Sequence, residues 1–446
     1  MKEKYLFSEK ELKNLIVPLA VEQILVMSVG IADSIMVSHA GEAAVSGVAL
    51  VDMINTLIIM ILSAVCAGGT IVVSQYIGDG NREKSVSVSG QLVNIASIIS
   101  LVITIICLIF HKSILRLFFG KIETEVMSAA VTYFTVCILS YPFLGIYNSG
   151  VALFRAMGET EITMKISFLG NIINILGNFI GVFVLKAGIM GVAVPTLISR
   201  IVSAGIIFFM LLDRRNMVFL DRKAIMDIDK DSIIRILKIA IPSGMENGLF
   251  QLGKILTASI VALFGTVQIA ANGVSGSIIH IAVIGVNAIN LGIVTVVGQC
   301  VGARRYGQVY YYVKKLMKWG YLITMLLHMI TLISLPFIFS LYKLSDEAVK
   351  LCYFLVIFHN SMIVLLHPTS FGLANAIRAA GDVRYTMYVG VFSMFAFRLG
   401  FSYLLGIVMD YGVKGVWVAM AVDWIARSAF FVFRFKSGKW RRYRVI

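Results

Sequence analysis

The polar residues that could do chemistry in this chain are conspicuous because they stand inside long apolar stretches. Asp33 lies about 20 residues into the first of these, with no Lys or Arg near it in sequence. An ionisable group so placed faces a protein interior or a water-filled cavity, since acyl chains cannot solvate it. There a carboxylate can hold a proton, Na⁺ or an organic cation, one at a time, which is the minimal physics of exchange across a membrane. The plainer alternative is a cap on the helix end or a pair with another bundle residue. Asn171, Asn174 and Asn178 are spaced i, i+3, i+7 and share one helical face. Amide oxygens suit a hard cation, although amides also join membrane helices to one another. In the second half Glu246 and Lys254 stand eight residues apart, about 80° around a helix, too far for close same-helix pairing. Lys254, near mid-membrane, predicts either an acidic partner from another helix or ready loss of its proton. His359 and His367 could shuttle protons. Asp423 and Arg427 form an i, i+4 pair read as structural, with Arg398 a further partner. Arg200 requires an acceptor, and Asp52 is expected where the second helix opens, at the interface.

The elements that position these residues follow from composition. Of the 446 residues 59% are hydrophobic and 14% charged, against roughly 25% charged in a soluble domain. That excludes a water-soluble globular fold, a disordered chain and a disulfide scaffold. Apolar runs place twelve spanning helices near 12–37, 47–76, 90–110, 126–151, 162–185, 188–212, 236–264, 270–300, 317–342, 350–377, 385–409 and 412–433. The net charge of +15 lies mostly in alternate loops. With both termini on one side, that side carries 28 of the 39 Lys and Arg, the other seven (among them Lys121 and Lys343), and the spans four. The asymmetry puts both termini, including the basic start with Lys2 and Lys4, in the cytoplasm, and anionic lipid rather than nucleic acid is the partner of the basic loops. No cleavable signal peptide is expected ahead of the first span. The five cysteines sit in apolar runs without a Cys-x-x-Cys and are expected as free packing residues. No metal-ligand spacing and no P-loop occur, so the reading includes no enzyme activity, no metal, no cofactor and no direct ATP hydrolysis.

The chain also repeats itself at an offset of 223 to 224 residues. Pro18 and Glu22 match Pro242 and Glu246, and Gly41, Gln75 and Gly78 match Gly265, Gln299 and Gly302. Arg155-Ala-Met-Gly-Glu159 matches Arg378-Ala-Ala-Gly-Asp382, and Gly188 and Gly191 match Gly412 and Gly415. The expected organisation is an N-terminal six-helix lobe (1–212), a cytoplasmic connection (213–235) and a C-terminal six-helix lobe with a basic tail (236–446). An even number of helices per half makes the repeats parallel. The fold class expected is an all-α integral membrane protein, twelve transmembrane helices in two pseudo-symmetric lobes around a central cleft. The matching positions of Glu22 and Glu246 point to a shared structural role, closure of an inner gate or an interhelical hydrogen bond.

These features resemble the multidrug and toxic compound extrusion (MATE) transporters. The resemblance spans the whole chain and rests on Pro18-Leu-Ala, Asp33-Ser-Ile-Met-Val-Ser-His-Ala-Gly41, Gln75-Tyr-Ile-Gly78 with its copy Gln299-Cys-Val-Gly302, and the two Arg-Ala-x-Gly-acid motifs. It implies an antiporter of the cell membrane exporting organic cations or drugs against H⁺ or Na⁺; a monomer is expected. It also implies a cation site on Asp33 with Asn148, Asn174, Asn178 and Thr196. Some relatives carry a second acid where Asn178 stands. Others place their acids in the second lobe, where helix 10 of this chain offers His359 and His367 instead. A lipid-linked precursor flippase of the wider superfamily is the alternative; such relatives usually have extra helices and a cationic cleft.

Overall fold

The computed structural model describes residues 5–446 apart from 121, 341 and 343, and their side chains apart from residues 281 and 282. Lys2, Lys4, Lys121 and Lys343 of the charge asymmetry therefore lie outside the described residues. All regular structure among the described residues is helical. The first six long helices are α1 (Glu9–Ser38), α2 (Glu42–Asp79), α3 (Arg82–Phe119), α4 (Thr124–Met157), α5 (Thr160–Phe179, continued by the π turn Ile180–Val184) and α6 (Met190–Leu211). A short α7 (Arg222–Met226) follows. The second six are α8 (Lys230–Ala262), α9 (Thr266–Gly302), α10 (Tyr306–Ser340), the continuous run of α11 (Asp346–His367) into α12 (Leu373–Ala379), α13 (Val383–Phe392) with its π turns, and α14 (Gly412–Lys436).

These helices overshoot the apolar runs. The third span, expected at 90–110, is the 38-residue α3. Hydropathy marks only the part of a helix inside hydrocarbon, whereas backbone hydrogen bonding continues into the polar interface. Eleven helices among the described residues are long and apolar enough to cross a membrane. The remaining long helix is α8, whose apolar run is broken by Glu246, Asn247, Gln251 and Lys254.

The chain forms two compact units, Lys10–Gly244 and Met1–Glu9 with Met245–Ile446. The first buries Val51, Leu62, Phe134, Ile138 and Tyr141 between α2 and α4; the second buries Ala271, Cys352, Leu355, Val356 and Val413 between α9, α11 and α14. All five cysteines are buried and free. The polar connection packs onto α3 of the first unit. Gln91 Nε2 donates to the Asp227 carbonyl at 2.7 Å, Asn94 Nδ2 to that of Ile225 at 2.7 Å, and Arg82 Nη2 to those of Arg214 and Asn216 at 2.9 and 3.0 Å. Asp229 accepts at the start of α8 from Ser232 Oγ at 2.7 Å and from Lys84 Nζ at 3.2 Å.

The repeat is written into the backbone. Gly188 and Gly412 both have φ of +56°, and Lys186 and Asp410, two residues earlier in each half, have φ of +51° and +56°. The adjoining helices touch through glycine in both units: a Cβ on Gly191 would lie 2.6 Å from the Gly181 carbonyl, and one on Gly415 2.8 Å from the Gly406 nitrogen. Small residues allow this approach where hydrophobic collapse cannot drive helices together in lipid.

Gly191→Ala should destabilise the purified protein by about 1–3 kcal/mol, while Gly205→Ala in the same helix, with nothing within 4 Å of the added methyl, should leave the thermal midpoint unchanged or raise it. Burial pushes the Asp229 carboxyl up, but the Ser232 and Lys84 hydrogen bonds outweigh it and hold it down to about 2. A lowered carboxyl stabilises the fold above its unfolded value and loses that contribution as pH falls. Acid titration of the melting temperature should show this loss between about pH 4 and pH 2. Asp229→Ala should remove that step and cost about 1 kcal/mol at neutral pH through loss of the α8 cap.

Candidate functional site

Asp33 sits on α1 a turn and a half before its end at Ser38, half-buried in the first unit. Asn178 Nδ2 donates to Asp33 Oδ1 at 2.7 Å. The same Nδ2 lies 3.3 Å from Asn174 Oδ1, and Asn174 Nδ2 donates to Thr196 Oγ1 at 3.0 Å. The Thr196 hydroxyl donates in turn to the Val192 carbonyl at 2.9 Å. One polar thread thus runs from α1 across α5 to α6. Asn174 and Asn178 are 5% and 0% exposed. Their i, i+4 separation stacks them on one face of α5, and the π turn at Ile180–Val184 begins just beyond Asn178; π turns inside helices occur frequently at functional sites.

Two observations bear on what the thread can hold. Among the described residues no Lys, Arg or His nitrogen lies within 4 Å of Asp33, so its charge has no ion-pair partner there. Asn178 Oδ1 is buried without a hydrogen-bond partner. The oxygens of Asp33, Asn174, Asn178 and Thr196 are hard donors suited to a proton or a small cation. Asn148, on α4, is half-buried and makes no hydrogen bond with this set, and Asn171, on the expected amide face, leaves its buried Nδ2 unpartnered.

A second polar group lies nearby. Asp52 is exposed in the third turn of α2 rather than at its opening, because α2 begins ten residues earlier at Glu42. It accepts from Asn55 Nδ2 at 3.1 Å, and Asn55 Oδ1 accepts from the Tyr141 hydroxyl at 2.7 Å. Arg200 finds its acceptor in Ser140 Oγ at 2.6 Å. Asp33, Asp52 and Arg200 are close enough to interact electrostatically. Asn55, Ser140 and Tyr141 escaped sequence reasoning, because neutral polar residues scattered in apolar helices carry no mark of the face they occupy.

Glu22 and Glu246, by contrast, are ion-paired within their own units. Glu22 accepts from Arg155 Nη2 at 2.9 Å and from Thr163 Oγ1 at 3.2 Å. Glu246 accepts from Arg378 Nη2 at 2.7 Å, and Arg378 Nη1 donates to Asn375 at 2.8 Å. Glu and Arg are 133 residues apart in one unit and 132 in the other, a matched separation that could have identified the pairs from sequence. Asp382 of the second motif pairs with Arg434 at 2.7 Å.

Of the two alternatives for Lys254, the acidic partner is the one the structure does not supply. Lys254 is exposed, no carboxylate among the described residues lies within 4 Å, and its ammonium stands 5.3 Å from the Phe250 ring centroid. His359 packs against Trp417 and Trp424, and His367 stacks on Phe371, with both Nδ1 atoms buried and unpartnered. Asp423 accepts from Arg427 Nε at 2.8 Å, with Arg398 Nη1 3.9 Å away.

Known proteins resemble the chain over its full length. A family model described as MatE matches residues 18–180 and 242–404, one match in each half; the matches begin at Pro18 and Pro242, residues paired by the repeat. The uncharacterized transporter YisQ of Bacillus subtilis is 25% identical over 431 residues, covering 95% of this chain and 93% of its own. The probable multidrug resistance protein NorM of Thermotoga maritima is 25% identical over 458 residues, covering 98% and 94%. A solved outward-facing multidrug resistance MATE family transporter of the MOP superfamily has a TM-score of 0.90 at 19% identity, covering 97% of this chain and 96% of that one. A MOP superfamily transporter from Pyrococcus furiosus, for which a binding pocket of reverse polarity suggests a different function, has a TM-score of 0.88 at 19% identity, covering 96% of each chain. At these identities the structural likeness speaks for the fold.

Arg155→Met should strand Glu22 and cost roughly 3–5 kcal/mol, with the Glu22→Gln/Arg155→Met double variant recovering much of it. Thermal unfolding of the purified single and double variants checks this, and a double variant no more stable than Arg155→Met would show that the two residues do not act as a pair.

Proposed function

The chain belongs to the MatE family of multidrug efflux transporters, and from that premise we propose that it is a secondary antiporter exporting organic cations against an inward flow of H⁺ or Na⁺, coupled at Asp33. The observation that carries this reading is a carboxylate inside a spanning helix with one amide for a hydrogen-bond partner and no cation within 4 Å among the described residues. A carboxylate held by a guanidinium would be committed; this one can exchange its guest.

The polar thread supports both states of the carboxylate. When Asp33 is ionised, the Asn178 NH₂ group donates to it. When Asp33 is protonated, its hydroxyl needs an acceptor, and Asn178 Oδ1, buried and unpartnered, becomes that acceptor once the amide turns over. With Na⁺ bound, the same two oxygens and Thr196 Oγ1 supply ligands of the right hardness. A cationic drug competes for the same negative charge. Coupling then requires only that the two occupancies of Asp33 favour different conformations of the transporter. Asn174 and Thr196 hold Asn178 in place, and Asn148 makes no hydrogen bond with them. The protein works in the cell membrane as a monomer with both termini cytoplasmic, and its charge asymmetry supports that orientation.

Proteoliposomes offered ethidium under an imposed pH gradient, then under a Na⁺ gradient, test the proposal. Asp33→Asn should reduce gradient-driven ethidium transport at least about tenfold without shifting the thermal midpoint by more than a few degrees. Full retention of coupling in that variant overturns the assignment of Asp33, and transport indifferent to both gradients in the unmodified protein overturns antiport.

A further inference from the structure

The second unit holds a cluster of opposite polarity that the Asp33 reading does not use. Three cations surround one aromatic ring. Lys254 Nζ stands 5.3 Å, Arg398 Cζ 5.7 Å and Arg427 Cζ 4.9 Å from the Phe250 centroid. The carboxylate facing them is Asp423, fully buried, which accepts from Ser393 Oγ and from Arg427 Nε at 2.8 Å. Arg427 is further satisfied by the Gly390 carbonyl at 2.9 Å. That satisfies one cation in full. Arg398 shares the same carboxylate as an ion pair without a hydrogen bond, its Nη1 3.9 Å from Asp423 Oδ2; its Nε is buried without a hydrogen-bond partner, and its side chain is 12% exposed. Lys254 has no carboxylate within 4 Å among the described residues and shares the Phe250 ring with Arg398.

Two positive heads around one ring in a spanning bundle are costly. The face of a phenyl ring offsets only part of what it costs to withdraw an ammonium and a guanidinium from water. Lys254 is exposed, so the cluster is reachable from outside its unit, and a charged group on a spanning helix faces water or a ligand rather than acyl chains. The missing charge is negative. We infer that Lys254 and Arg398 form an anion-binding site in the second unit, fitted to a small monocarboxylate. The Arg398 fork offers paired donors that match a carboxylate's two oxygens. Lys254 closes the exposed side as a point charge, and Phe250 and Phe371 supply apolar wall, the latter 5.9 Å from Arg427. An inorganic anion such as chloride shares the charge but not the fork geometry.

Calorimetric titration of the full-length protein with sodium benzoate, in halide-free low-salt buffer, tests the site. Saturable binding is expected. Lys254→Met should weaken it about tenfold or more, and Lys254→Arg should stay within about threefold. Lys254 is exposed, so these variants leave the packing intact, and their thermal midpoints verify it. Asp33→Asn should bind benzoate as the unmodified protein does, which separates this site from the antiport reading. Competition by millimolar chloride marks an inorganic anion as the occupant, and resistance to chloride marks an organic carboxylate; either supports an anion site. No saturable binding of benzoate or chloride, or undiminished binding in Lys254→Met, overturns it.

Discussion

A buried carboxylate closed by a guanidinium, made once in each six-helix lobe, is the interaction on which the rest of the structure depends. Glu22 on α1 meets Arg155 at the end of α4, and Glu246 on α8 meets Arg378 near the end of α12. Each pair joins the first helix of its lobe to the fourth. In a bundle where lipid removes most of the hydrophobic drive between helices, such a pair fixes register, because a slipped helix would leave two charges buried and alone. The motif glycines that follow, Gly158 and Gly381, turn the chain out of its helix at φ of +89° and +106°. They deliver the arginine to its acid and start the next helix in the same few residues.

The groups proposed to carry function lie further along the same helices. Asp33 is eleven residues beyond Glu22, roughly 16 Å along α1, and Lys254 is eight beyond Glu246, roughly 12 Å along α8. Each lobe therefore has one end locked by an ion pair and an ionisable group displaced from the lock. The frame is duplicated but the chemistry is not. At the repeat offset of 224, Thr257 stands where Asp33 would be copied and Gly30 where Lys254 would be. The first lobe keeps an unmatched acid and a thread of amides; the second keeps an excess of cations around Phe250. Duplication preserved what holds a lobe together and left the charge of its interior free to diverge.

Much of this was legible before any fold was known. Pro18, Glu22, Arg155, Gly188 and their copies recur at a nearly constant offset because each answers a backbone or charge requirement that both lobes share. Asp33 was legible for another reason: charge is so expensive in a spanning segment that its presence alone marks a position. Asn174 and Asn178 were legible as a pair because helical periodicity puts them on one face.

The sequence by itself determined the twelve-helix, two-lobe plan and the positions of the costly charges, since apolar run length and burial cost are local quantities. Which groups meet was decided only by tertiary structure. Arg200 found Ser140, Lys254 found Phe250 instead of an acid, Asp52 moved from the mouth of α2 into its third turn, and Asn148 stayed apart from the thread it was expected to join. These outcomes depend on how helices rotate and cross, which is set by close contacts such as Gly181 against Gly191. Small residues leave no distinctive trace of such contacts in the order of the amino acids, so partnership had to come from the fold.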